Sequence, residues 1–460
     1  MILLWLLLVP VVWIVVFRYR RRHMYRLAAA IPAPKEAWPL IGIIFSTVVV
    51  NPLDLEVILK VCLEKDDLHR FLRRIIGYGG IFAPVSIWRR RRKIMVPAFS
   101  PKVIENFVDV FSEQSQKLAK SLTSPANKGN FSIWPFISTY TLDSVCETAM
   151  GVQINAQGNP DCKFLVAMNY ILNLVTERIF HLWLQPEWLY RWFPQYKQHE
   201  KYKKHMLDFT DDVRITILVS AGLKSFLDLL ISFSGGDKGY TNVELREEML
   251  TLTIAGTDTS AVCIGYTLKL LGKYPEVQDK VYQELFDVFG DSDRPVEKKD
   301  LIKLKYLERV VKESLRLFPP VPFIIRKVLE DIKLPSGRVL PAGSGIVVSI
   351  WGVHRDPKYW GPDAEHFDPD RFLPERFKQA NTCSYMPFSS GPRNCLGYQY
   401  ALMSIKTALA TTLRRFKVVG ETESSPTPKM RVKLDIMMKA VDGYELALER
   451  RTRIAPCAQG

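Results

Sequence analysis

Cysteine is scarce in this 460-residue chain. The seven residues, Cys62, Cys146, Cys162, Cys263, Cys383, Cys395 and Cys457, are scattered and never take CxxC spacing. That argues against a disulfide scaffold and a structural zinc site, and fits a reducing compartment. Internal repeats and low-complexity stretches are missing too, which speaks against a solenoid. The length alone would allow several domains, yet no linker-like segment divides the chain. Recognisable nucleic-acid-binding motifs are lacking, so nucleic acid is not expected as a partner. What is present is globular in proportion: 47% hydrophobic and 24% charged residues exclude a wholly disordered chain. Lys and Arg number 63 against 48 Asp and Glu, a net charge of +15. Such an excess suits an acidic protein partner or an anionic membrane surface.

Residues 1–17 carry no charged side chain, and Arg18, Arg20, Arg21, Arg22 and Arg26 follow at once. A cleaved signal would place its positive charge first, and no small-residue cleavage site precedes the arginines. Seventeen apolar residues just suffice to span a bilayer, and the basic cluster should remain cytosolic. The expectation is an uncleaved signal-anchor helix at 1–17. A basic stop-transfer and proline-rich hinge follows at 18–42, containing Pro32, Pro34 and Pro39. A cytosolic domain then fills 43–460. A buried core helix and a mitochondrial presequence fit the first residues less well.

Apolar spacing predicts helices over 54–63, from Pro101 towards Leu118, and over 140–150 and 164–180. The longest periodic run, 241–273, has Thr241 and Asn242 as N-cap chemistry, and Gly272 and Pro275 as its stop. Strand-like pieces lie at 338–340, 345–350 and 430–438. The fold expected is mainly α with small β-sheets.

The segment from Phe388 reads FSSGPRNCLG. Cys395 sits between Gly391 and Gly397, beside Arg393 and before an apolar helix over 396–413. Glycines permit close backbone approach, while a helix N-terminus and an arginine both stabilise a thiolate. From the residues alone, a nucleophile, a metal ligand and a small buried side chain all remain open, although no Cys-His-Asn arrangement accompanies Cys395.

Phe388, Gly391, Arg393, Cys395 and Gly397 resemble the FxxGxRxCxG haem-binding signature of the cytochrome P450 monooxygenases. That resemblance implies Cys395 as the axial thiolate of a haem b, and a P450 fold with haem between the long helix and the helix after the Cys loop. It extends to Glu313 and Arg316 as an ExxR pair, with Arg371 as the third member of a buried triad. In AGTDTS (255–260), Thr259 would assist oxygen activation and Asp258 would relay protons. Trp88 and Arg92 resemble the family's haem-contacting WxxxR, whose Arg meets a propionate; Arg326 and Arg393 look like further propionate partners, and the basic run 89–93 like a docking face for an acidic reductase. The implied partners are NADPH-cytochrome P450 reductase, with cytochrome b5 as a further donor, together with O2, a lipophilic substrate and the endoplasmic reticulum membrane.

Within that family, Pro319-Pro320-Val321-Pro322, residues 142–151 (LDSVCETAMG) and 226–230 (FLDLL) are similar to the family-4 clan, especially its insect members. The clan oxidises fatty acids and other long lipophilic chains. Many of its members place a haem-esterifying Glu directly before the I-helix glycine. Here Ala255 holds that position, so no such covalent link is expected. Residues 43–53 are short where the family has a helix and its first strands, 215–225 is also short, and Ser404 stands where relatives often carry Glu. The leading expectation is a membrane-anchored monooxygenase. The alternatives are a non-catalytic haem- or lipid-binding relative impaired by the short N-terminal sheet, and a haem-thiolate isomerase or lyase working without a reductase.

Overall fold

The computed structural model describes residues 47–159, 162–219, 226, 239–377 and 382–451, together with positions 12, 15, 16, 19, 22 and 23. Most of the expected anchor and the whole of the segment 24–46 lie outside the described residues. Among the described residues no helix is long and apolar enough to cross a membrane.

From residue 47 the described residues begin with β1 (Thr47–Val49) and α1 (Pro52–Val61), which Asn51 caps by accepting from Leu53 N. Next come α2 (Arg70–Ile76) and α3 (Val85–Met95). The helix expected from Pro101 is interrupted: a short helix, Pro101–Ile104, and a 3-10 turn, Glu105–Phe107, precede α4 (Val108–Leu122). α5 (Trp134–Met150) begins six residues earlier than its periodicity suggests, because Pro135 falls in the first turn, where its missing N–H is harmless. α6 (Lys163–Phe180) and α7 (Pro194–Val219) lead to α8 (Asn242–Lys273). Thr241 and Glu244 form a full capping box at its start. At 32 residues α8 is roughly 48 Å long, enough to cross the domain.

α9 (Pro275–Phe289) and α10 (Lys305–Leu317) follow, then β2 (Phe323–Lys327), β3 (Gly345–Ser349) and α11 (Tyr398–Arg415). The chain closes with β4 (Phe416–Val419), β5 (Val432–Asp435), β6 (Met437–Ala440) and β7 (Glu445–Arg450). The run 430–438, expected as one strand, is a hairpin turned at Ile436, whose φ is +61°.

The short segment 43–53 retains a strand. β1 pairs in parallel with β3, Thr47 opposite Ile346, and β2 pairs antiparallel on the other side of β3. Of the short stretch 215–225, residues 220–225 lie outside the described residues, and α7 runs to Val219.

α8 packs along α5 and also against α10 and α11, so the largest core cluster is built around its C-terminal half. Gly256 makes this close approach: a Cβ there would stand 2.7 Å from Val145 Cγ2 of α5. A second cluster, with Phe111, Phe164 and Met249, surrounds its N-terminal half. The middle of α8 and the loop before α11 therefore meet between two rigid halves of the interior.

Candidate haem site

Cys395 is held by a loop whose shape demands particular residues. Ser389 and Gly391 both take left-handed backbone conformations (φ 62° and 73°), and a Cβ on Gly391 would come within 2.5 Å of the Leu59 carbonyl. Only glycine meets both conditions without strain. Cys395 N donates to Phe388 O (2.9 Å), and Asn394 N donates to Gly391 O (3.0 Å). Arg92 on α3 clamps the loop from outside, donating to Asn394 O at 2.7 Å and to Asn394 Oδ1 at 2.6 Å.

The Cys395 thiol is reached from a cavity of about 470 Å³. Burial pushes its pKa up, while the Gly397 N–H and the Arg92 guanidinium pull it back down. Both are groups that would favour a thiolate once a cation bound to it. Ala255, Gly256, Thr259 and Ser260 of α8 line the same cavity, and Phe388 borders it beside the Cys loop. The rest of the wall is largely apolar, with Phe82, Phe99, Phe107, Leu252 and Ile324. Thr259 Oγ1 donates to Ala255 O at 2.6 Å, back along its own helix.

Asp258 does not line the cavity. It is fully buried on another face of α8, and Lys439 Nζ of β6 lies 3.1 Å from its Oδ1. The helical turn that brings Thr259 to the cavity turns its neighbour away, since adjacent residues on a helix do not share a face.

One end of the cavity is strongly cationic. Arg326 is 1% exposed, has a single contact of 3.2 Å from Nη1 to Ile325 O, and leaves Nε without a partner. Arg393 lies over the Trp88 ring at 4.4 Å and donates from Nη2 to Ala83 O (2.8 Å), while its Nε and Nη1 are unpartnered. Lys65 borders the same end, and burial together with Arg326, Arg393 and Arg73 holds its pKa well below the ordinary lysine range. Glu64, the neighbouring carboxylate, already accepts from Lys65 N and Val85 N.

Buried guanidinium groups without a counter-charge are unfavourable, so this end calls for an anion. A flat apolar group carrying two carboxylates and a metal opposite Cys395 satisfies every part of the site, and haem is such a group. The residues that would hold it are Cys395 at the iron, and Arg326, Arg393, Lys65 and Trp88 around the propionates. Nothing in sequence marked Lys65, a lone lysine in a loop.

Two expectations shift. Arg92, expected at a propionate, lines the cavity, and its guanidinium donates to Asn394. The run 89–93 is not one basic face: Arg91 is 2% exposed and pairs with Glu247 (2.7 Å) and Glu248 (3.2 Å), leaving Arg89, Arg90 and Lys93 outside. Helical geometry sends successive residues to different sides, so an unbroken basic run cannot all face solvent when the helix is packed.

The Glu313–Arg316 pair lies behind the site. Arg316 donates from Nε and Nη2 to the two carboxylate oxygens, each at 2.7 Å, and from Nη1 to His354 O and Ala364 O. Arg371 joins it, its Nε 3.6 Å from Glu313 Oε1, with Nη2 on Asp363 at 2.8 Å. His354 ties this group to the segment before the Cys loop, accepting from Met386 N at Nε2 (2.9 Å). Ser404 is buried on α11 and receives the Tyr140 hydroxyl of α5 at its carbonyl (3.0 Å).

The family described as Cytochrome P450 matches residues 47–445. The chain is 36% identical over 426 residues to Cytochrome P450 4V2 of Homo sapiens, covering 87% of this chain and 79% of that one. It is 35% identical over 407 residues to Cytochrome P450 4c3 of Drosophila melanogaster, covering 81% and 76%. In structure it is similar to the crystal structure of a cytochrome P450 (CYP102L1), with a TM-score of 0.77 and 24% identity over 89% of this chain and 90% of that one. The chain belongs to the cytochrome P450 family, within family 4. It is accordingly an oxidoreductase of the monooxygenase class, and the family's cofactor is a haem with a cysteine thiolate ligand.

Proposed function

We propose that this chain inserts one oxygen atom from O2 into a long-chain lipophilic substrate, fatty-acid-like or terpenoid, with electrons from NADPH through cytochrome P450 reductase. The observation that carries this reading is the apolar cavity with the Cys395 thiol and Thr259 both on its wall. Haem, when bound, supplies the oxygen chemistry; the protein supplies everything around it. Apolar side chains desolvate and orient the substrate. The Thr259 hydroxyl, now bonded to Ala255 O, is placed to pass a proton into the cavity, and Asp258, one residue away, is the acid that resupplies it. Gly397 N–H and Arg92 temper the donor strength of the thiolate.

The haem is proposed to be haem b without an ester link. Ala255 offers no carboxylate, and Glu248, the one carboxylate bordering the cavity among the described residues, is taken up by Gly80 N (2.9 Å) and Arg91. The apolar 1–17 and the arginines after it support an anchor in the endoplasmic reticulum membrane with 43–460 on the cytosolic face. Exposed Arg89 and Lys93 are the part of α3 left for an acidic redox partner, either the reductase or cytochrome b5, since Arg90 already pairs with Glu244.

The test is the reduced, carbon-monoxide-bound difference spectrum of the expressed protein beside Cys395→Ala. A strongly red-shifted Soret band that disappears in the variant is expected. Its absence from the unaltered protein, or its persistence in the variant, would overturn the reading. Turnover with NADPH, reductase and a panel of long-chain acids, alcohols and terpenoids then identifies the substrate class.

A further inference from the structure

Between α2 and α3 the cavity wall is a loop, residues 77–83, held from outside itself. Its Gly80, Ile81 and Phe82 line the cavity, while Ile81 is also 42% exposed, so the loop stands between the cavity and solvent. Four side chains pin its backbone. Arg91 donates to Tyr78 O, Arg73 Nε to Phe82 O (2.8 Å) and Arg393 to Ala83 O (2.8 Å), whereas Gly80 N donates to Glu248 Oε2 at 2.9 Å. The three arginines stay charged near neutral pH, and the Glu248 carboxyl is the one pin that can titrate there. The loop sits flush on α8: a Cβ at Gly79 would stand 1.8 Å from Thr251 Oγ1. Around the fully buried Glu248 the charges do not balance. Arg91 of α3 lies 3.2 Å from Glu248, 2.7 Å from Glu247 and 3.5 Å from Glu244, so one buried guanidinium serves three carboxylates. Arg90 pairs with Glu244 from outside, and Tyr240, before α8, donates its hydroxyl to Arg91 O. The Gly80 N–H and Arg91 favour the ionised carboxylate, but burial outweighs them and Glu247 opposes them, so the Glu248 pKa stands at about 7. A lifted loop admits water and returns it towards the ordinary range. The seated loop therefore binds this proton more tightly than the lifted one, and rising pH favours lifting.

We propose that loop 77–83 is a gate on the cavity and that Glu248 is its latch: the protonated carboxyl keeps the loop seated on α8, and loss of the proton to solvent lifts Gly80 and Ile81 from the wall. The ionised carboxylate then gains water in place of a dry site crowded by Glu247. The three arginines hold the loop near its ends in either state, so the movement is confined to its middle. Glu248 is thus a positioning residue for entry and stands apart from the oxygen chemistry. The gate serves the same cavity as the monooxygenase reading and needs none of its catalysis.

The experiment uses the full-length haem-loaded chain without reductase, between about pH 5.5 and 8. The probe is n-butyl isocyanide, a neutral ligand of haem iron that does not titrate, and its association rate is read by stopped flow at the Soret band. Hydrogen exchange of amides 79–82, corrected for its intrinsic pH dependence, supplies a readout that does not involve the haem. In the unaltered protein both rates are expected to rise several-fold with pH and to level off near pH 7. Glu248→Gln, which stands in for the protonated carboxyl, should hold both at their low-pH values throughout. Glu247→Gln removes the neighbour that raises Glu248 and should move the levelling-off to lower pH, which keeps the test available if Glu248→Gln fails to fold. A flat profile in the unaltered protein, the same profile in Glu248→Gln, or an unmoved one in Glu247→Gln would overturn the gate. If the Cys395-dependent band is missing while amide exchange still follows pH in the unaltered chain and not in Glu248→Gln, the monooxygenase reading falls and the gate stands.

Discussion

Arg316 and Arg326 lie ten residues apart in sequence, are equally buried, and have opposite surroundings. Arg316 makes five hydrogen bonds, two to a carboxylate and three to carbonyls. Arg326 makes one, to the carbonyl of its own neighbour, and it lies close enough to Lys65 and Arg393 to lower the pKa of each. Burial lowers the Arg326 pKa to about 10, offset slightly by Cys62. A buried arginine saturated by the protein is part of the scaffold. One that the protein leaves unsaturated is built to receive something, and here the receptor end of the cavity has two such guanidinium groups, Arg326 and Arg393. The comparison separates residues that hold the fold from residues that hold the ligand.

The comparison is tested most severely at the metal, where Cys395→Ala should abolish the thiolate band altogether while leaving the Arg316 network intact. Breaking the saturated arginine comes next. Arg316→Met leaves the buried Glu313 carboxylate with only Arg371 and the Asp368 N–H beside it and should destabilise the fold by about 3–5 kcal/mol, read as a lowered denaturant midpoint. Arg316→Lys should recover little, since one ammonium cannot replace a bidentate fork. Arg326→Leu should act in the opposite sense. The polypeptide itself should lose little stability, because no protein carboxylate is stranded. Haem affinity should instead fall by about 1.5–3 kcal/mol, the worth of a charged hydrogen bond, read as faster haem transfer to an acceptor protein. Equal effects of Arg316→Met and Arg326→Leu on the fold would dissolve the distinction.

The smallest effect is in pH dependence. His354, in the saturated region, is buried and held neutral, its pKa lowered to about 3 by burial and by Arg316. The unfolded chain binds this proton near pH 6.5, so its contribution is present above that value and is lost as pH falls towards 3. Glu248, on the cavity wall, is raised to about 7, mainly by burial. Its folded state holds the proton more tightly than the unfolded one, so its contribution is present below pH 4.5 and is lost as pH rises to 7. The two slopes oppose each other between pH 5 and 6.5. Relative to the unaltered protein, His354→Gln should therefore tilt stability downward with rising pH, and Glu248→Gln upward, each by up to about 1.4 kcal/mol per pH unit. Urea midpoints at three pH values settle the signs.

Much of this was legible along the chain. The capping box at Thr241 and Glu244, the Cys loop with its two glycines, and the i,i+3 pair Glu313–Arg316 all follow from contacts between near neighbours, and they are found where the pattern places them. Boundaries slipped where tertiary packing extended a helix, as at Trp134, or where a turn was hidden in an apolar run, as at Ile436. The direction of individual charges was not legible. Arg91 and Arg92 sit side by side in a basic run, yet one is buried against Glu247 and Glu248 and the other grips Asn394, 302 residues away.

What the sequence determined by itself was therefore local: which segments are helical, where a thiolate can be presented, and which acid and base share a helix face. What only the tertiary structure decided was the meeting of distant groups. Lys65, Arg326 and Arg393 form a cationic end because two loops and strand β2 converge there, and Asp258 finds Lys439 because the β5–β6 hairpin folds onto α8. The spacing of neighbours is set by bond geometry, whereas the burial and pairing of a charge depend on every element packed around it, and no short window of sequence contains those.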